Sequence, residues 1–166
     1  MRDINFIKNI DNLGRIVIPM DIRRKLNIST GDVLSISCTD KDICLCKYST
    51  LDNCKVEEIV NYFVDTFKLN VVLMDKEKVI FSNLVSKNIK IDGNIQLLIN
   101  EGHSCNNSYH SYVFGDKKID GYFNQVPIVT NEGIVGSLVV LQSDVVNAYE
   151  VCKLIAKLIM LQLNIS

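Results

Sequence analysis

Asp11 to Leu34, DNLGRIVIPMDIRRKLNISTGDVL, packs two glycine turns, a short apolar strand and a proline-started helix into one small stretch. Asn12-Leu13-Gly14 reads as a turn, with Gly14 free to take positive φ. Arg15 to Ile18 alternates as a strand, Ile16 and Ile18 on one face and Arg15 and Val17 on the other. Pro19 stops that strand and pre-sets φ for a helix from Met20 to Leu26. Ile22 and Leu26 stand at i, i+4 and are expected inside; Arg23, Arg24 and Lys25 are expected mostly outside. Ser29-Thr30-Gly31-Asp32 is a second turn.

Outward from that stretch, residues 5–10 (NFIKNI) predict a strand. Val33 to Cys38 and Ile43 to Tyr48 predict a hairpin about Asp40-Lys41. Residues 1–48 therefore read as four strands and one helix, too little core for an independent monomer. Such a unit is expected to cover its apolar face with a second copy.

From Lys55 the period becomes helical: Val56, Ile59, Val60, Phe63, Val64 and Phe67 form one stripe, with Thr50 or Asp52 as candidate caps. Strands are expected at Leu69 to Met74, Val79 to Ser82, Tyr109 to Phe114, Tyr122 to Thr130 and Ile134 to Gln142. A short helix is expected at Ile95 to Asn100 and a long one from about Asp144 to Asn164. Around the last helix only Asn147, Glu150, Lys153, Lys157 and Asn164 mark a polar stripe, and nearly all the remaining surface is apolar. A helix covering one sheet face needs far less apolar surface than that, so contact with a second subunit is expected there too.

The chain has 166 residues, 48% apolar and 22% charged, the composition of a folded soluble protein. It shows neither a secretory signal nor an unbroken apolar span, and the expected location is the cytoplasm. The six cysteines show no CxxC pair and read as reduced thiols, Cys44 and Cys46 serving as small apolar residues of a strand. Net charge is −1, yet it is unevenly spread. Residues 1–50 hold eight basic and six acidic residues, net +2; the remainder holds ten and thirteen, net −3. All four arginines fall within the first 24 residues. Arginine is favoured where forked hydrogen bonding to phosphates or base edges is needed. Glycine-rich phosphate loops, nucleophile elbows and usefully spaced carboxylate pairs are lacking, so no enzyme and no cofactor is read.

Residues 8–48, with D-N-L-G-R-I-V-I-P, then I-R-R-K-L-N-I, then G-D-V-L and the closing hairpin, resemble the swapped-hairpin DNA-binding domain of the AbrB family. The chain length and P-I-V-T-N-E-G-I-V-G-S-L-V-V-L (127–141) resemble those sporulation regulators of the family that join such a head to a GAF domain. The resemblance implies an α+β protein. Residues 1–48 would be a swapped-hairpin β-barrel dimer head, 49–53 a linker, and 54–166 a GAF-like domain with a central antiparallel sheet flanked by helices.

The implied partners are double-stranded DNA, a second copy through the head, a tetramer through the helices of the second domain, and a small ligand in it. No membrane is implied. Carried over by position, Lys8, Arg15, Arg23 and Arg24 are the DNA-contacting residues. Lys8 stands where the family often has arginine and Asn9 where a basic residue is common, so DNA shape is expected to supply much of the selectivity.

Two rival readings come from other classes. Similar heads occur in antitoxins, followed there by a disordered tail, whereas 55–166 is richly periodic; a bare protein-interaction module is the other form of this reading. In the stretch 103–116 (HSCNNSYHSYVFGD), His103, Cys105 and His110 could supply three zinc ligands, or Cys105 a redox thiol. The spacing is not diagnostic and histidines in polar loops are usually solvated, so no metal is assigned. The same stretch, long, polar and aromatic, reads either as the wall of a ligand pocket or equally as a surface loop.

Overall fold

The computed structural model describes residues 6–26, 28–141 and 147–165, apart from the side chains of Cys46 and Ile165. The chain divides into two compact units, Met1–Tyr48 and Ser49–Ser166.

In the first unit a helix, α1 (Met20–Lys25), begins directly after Pro19. A hairpin follows, β1 (Leu34–Cys38) antiparallel to β2 (Ile43–Lys47), in register from Leu34↔Lys47 to Cys38↔Ile43. Its turn is closed by Thr39, whose N–H donates to the Asp42 carbonyl at 2.9 Å and whose Oγ1 accepts from the Asp42 N–H at 3.1 Å. The strands expected at 5–10 and 15–18 do not form: residues 6–10 and 15–18 have no ladder, and Asn5 lies outside the described residues. An extended segment becomes a strand only when its N–H and C=O groups meet a neighbour's, and among the described residues of the first unit only β1 and β2 pair so. Leu26, expected inside, is exposed, and Ile22 is half-buried.

The second unit is built on a five-stranded antiparallel sheet in the order β4-β3-β7-β6-β5. Its strands are β3 (Val71–Asp75), β4 (Val79–Ser82), β5 (Cys105–Phe114), β6 (Lys117–Thr130) and β7 (Gly133–Leu141). Helices α2 (Cys54–Phe67) and α4 (Ala148–Ile165) contribute to one face, and α3 (Gly93–Asn100) to the other. β3 shows why: Val71 and Leu73 join Val60, Phe63, Ile155 and Ile159, while Val72 and Met74 join Ile95, Ile99 and Phe123. A strand buried on both faces is apolar at every position rather than at every second one.

Asn53, not Thr50 or Asp52, caps α2, its Oδ1 accepting from the Lys55 N–H at 2.9 Å. Asp52 instead pairs with Lys87 at 2.8 Å. Leu51, inside the stretch expected as a linker, is buried in the first of these clusters. The expected start of α4 near Asp144, with Val145 and Val146, lies outside the described residues, as does Gln142. Gly136 on β7 is required by close approach, since a Cβ there would stand 2.1 Å from the Met74 carbonyl oxygen. Among the described residues no helix is long and apolar enough to cross a membrane.

Candidate nucleic-acid interface

The loop from Asp11 to Arg15 is closed by its own ends. The Asp11 N–H donates to the Arg15 carbonyl at 3.0 Å, and the Gly14 N–H returns to the Asp11 carbonyl at 2.9 Å with Gly14 at φ +75°. Asp11 Oδ1 accepts from the N–H groups of Leu13 (2.9 Å) and Arg15 (2.8 Å), an Asx-type turn. Its Oδ2 accepts from Arg15 Nε at 2.8 Å. These bonds, the Arg15 N–H foremost, hold the Asp11 carboxyl below its ordinary range. The pair is open, with side-chain exposures of 71% for Arg15 and 42% for Asp11, so it positions the guanidinium without burying its charge.

The second turn works alike. Asp32 Oδ2 accepts from the Ser29 N–H at 2.8 Å and meets Lys47 Nζ at 3.5 Å, which lowers the Asp32 carboxyl. Lys8, Arg24 and Lys25 are exposed. Arg23 departs from the expected outward position. It is half-buried, and its Nε is covered without a hydrogen-bond partner among the described residues. Sequence spacing on so short a helix could not show this, because starting it one residue earlier or later turns every side chain by about 100° around the axis.

Apolar surface surrounds these cations. Among the described residues none of the first unit's is buried, and Ile7 (97% exposed), Val17 (74%) and Ile36 (70%) stand in the open, as do Ile10, Leu13 and Ile43.

In the second unit the strand expected at Tyr109 to Phe114 forms and extends back to Cys105, through residues expected as a polar loop, as the edge strand β5; His103, Cys105 and His110 come together there. Burial raises the Cys105 thiol; burial first, then the neighbouring His103, lowers His110. A separate open cleft of about 480 Å³ is lined by Ser82, Asn83, Leu84, Phe114, Asp116 and Lys117. Only Phe114 and Asp116 of the expected pocket wall line it.

Residues 7–51 match the family described as "Antidote-toxin recognition MazE, bacterial antitoxin". The chain is 39% identical over 56 residues to the transition state regulatory protein AbrB of Bacillus subtilis, across 34% of this chain and 58% of AbrB. It is 29% identical over 154 residues to stage V sporulation protein T of the same organism, across 87% of this chain and 86% of that protein. These matches bear out the AbrB-family resemblance, with the second protein similar to both units. A chain of the E. coli DhaR(N)-DhaL complex superposes with a TM-score of 0.42 at 14% identity, over 54% of this chain and 36% of that one.

Proposed function

We propose that this protein is a DNA-binding transcriptional regulator of sporulation or transition-phase genes, working in the cytoplasm as a homodimer through its first unit. The observation that carries the proposal is the missing core of that unit. Its apolar side chains are in place but uncovered, and the unsupported segments at 6–10 and 15–18 need strand partners. A second copy interleaved with the first would supply both, burying apolar surface at about 25 cal/mol per Å². It would also repeat Lys8, Arg15, Arg23 and Arg24 about a two-fold axis, the pseudo-symmetry of duplex DNA. The similarity to AbrB and to stage V sporulation protein T supports the same reading.

The second unit is assigned as a GAF-like domain for oligomerisation, with room for a small ligand. Tyr62 on α2 and Leu154 and Leu161 on α4 are exposed. They give that unit a contact for a tetramer, and linked heads would then gain avidity along one duplex. The antitoxin reading rests on the family matched at 7–51. It fits less well, because residues 49–166 carry their own two-faced core rather than a tail that folds on a toxin.

The test is the salt dependence of duplex binding. Four cations from each of two heads, meeting about eight phosphates, give a slope of log K against log salt near about −7. Arg23→Ala with Arg24→Ala should roughly halve that slope while the protein stays folded. An unchanged slope would remove both residues from the interface. Failure of the chain to bind duplex at low salt would favour the interaction-module or antitoxin reading.

A further inference from the structure

His103, Cys105 and His110 are brought together by two backbone devices that have nothing to do with their spacing in the chain. The first is the end of α3. Gly102, at φ +65°, donates to the Ile99 carbonyl at 3.0 Å, and the His103 N–H donates to the Leu98 carbonyl at 2.9 Å. This is a Schellman closure, and it fixes where His103 leaves the helix.

The second is a one-residue bulge in β5. Cys105 pairs with Gln125 but Ser108 with Phe123, so the register slips between them. Asn107 sits at φ +46° inside the slip, its N–H held by Asn124 Oδ1 at 2.9 Å. Strict alternation would put residue 105 on the opposite face from residue 110; the bulge turns both to the same side. Gly121 lies opposite His110 and leaves that side open, a Cβ there meeting nothing within 4 Å. The His110 ring stacks on Tyr112 at 5.5 Å between centroids, and the His103 ring stands at 6.0 Å, nearly perpendicular to it.

The result is one imidazole nitrogen from each histidine and the Cys105 Sγ within 4.8 Å of one another. Cys105 is buried and both histidines are half-buried. Nε2 of His103 and Nε2 of His110 are covered from solvent and have no hydrogen-bond partner among the described residues. Covered polar atoms without partners are uncommon, because each has given up its hydration with no hydrogen bond in return. Two such nitrogens stand in one cluster beside the Cys105 thiol, which donates to the Phe123 carbonyl at 3.4 Å.

The geometry points to a transition-metal site of the zinc(II) class, with His103, Cys105 and His110 as its three protein ligands. Two imidazoles and a thiolate suit a borderline-soft ion and not calcium or magnesium, which take oxygen ligands. Ligand atoms on a tetrahedral zinc, at bonds of about 2.0–2.3 Å, stand roughly 3.3–3.6 Å apart. Side-chain rotation of about an ångström closes the cluster to that size. Cys105 releases its proton to solvent as the sulfur–metal bond forms. A fourth position is left for water or a small anionic or thiol ligand. The site is independent of the proposed DNA-binding role.

The test uses the full chain, stripped with chelator, in a background carrying Cys38→Ser, Cys44→Ser, Cys46→Ser and Cys54→Ser. Zinc is titrated against a chromophoric competitor, and cobalt(II) serves as the spectroscopic probe. One zinc per chain is expected, with a thiolate-to-cobalt charge-transfer band and intense visible bands of tetrahedral cobalt. Cys105→Ser should remove the charge-transfer band, and His110→Gln should weaken zinc binding by roughly 100-fold or more. Circular dichroism checks that each variant is folded; the unsubstituted site's cobalt spectrum decides the matter if one is not. No zinc bound at micromolar concentration, an octahedral cobalt spectrum, or a charge-transfer band that survives Cys105→Ser would overturn the site.

Discussion

The two units spend their apolar residues in opposite ways. In residues 49–166 they lie on both faces of a five-stranded sheet, and side chains such as Leu73, Phe123, Leu138 and Ile155 are fully buried. In residues 6–48 the apolar side chains of the hairpin alternate with polar ones, yet none of the described apolar residues of that unit is buried. The difference teaches that periodicity reports which face of a segment is to be covered, not what covers it. On the proposed reading, a unit whose faces are all prepared and none covered has a core divided between molecules.

The sharpest way to break this comparison is to remove core from the second unit. Leu138→Ala on β7 deletes a fully buried side chain and should cost about 2–5 kcal/mol, read as a lower urea midpoint. A loss like that of an exposed position would mean the sheet is not the unit's core. In the first unit the expected signature is dilution. As a two-state dimer the head should lose about 1.4 kcal/mol of stability per tenfold fall in concentration. Ile36→Asp should abolish its transition and leave that of the second unit in place. A head transition indifferent to concentration would make it a monomer and remove the shared core.

The smallest effect is at Asp11. Its carboxyl lies below the ordinary value of 3.8, so the ionised form favours the closed loop. That contribution is complete above the unfolded value and is lost as pH falls through the lower, folded one. NMR titration of the Asp11 carboxyl should show this shift, and Asp11→Asn should erase it with little change in melting because the pair is exposed. A carboxyl titrating at its ordinary value would dissolve the loop's role in holding Arg15.

Much of this was legible without coordinates. The stripe Val56, Ile59, Val60, Phe63 has a single solution as a helix, and Gly14, Pro19 and Gly31 punctuate the head where its turns fall. Other features were not. Asn53 rather than its neighbours caps α2, since Asn, Asp and Thr at adjacent positions all have capping oxygens and only the helix phase selects one. β5 runs to Cys105, well before Tyr109, because its early residues are polar side chains of an edge strand. The convergence of Cys105 with His110 required a bulge, and odd spacing on a strand argues against it.

The amino-acid sequence by itself determined the change from strand to helix period after residue 50, the turn chemistry and the arginine-rich first segment, because these follow from local φ preferences and from periodicity. The tertiary structure alone decided what depends on parity and approach: the half-buried Arg23, the glycine demanded at 136, and the grouping of two histidines and a cysteine beside the end of α3. Such features are fixed by how one backbone meets another, and no single segment carries that information.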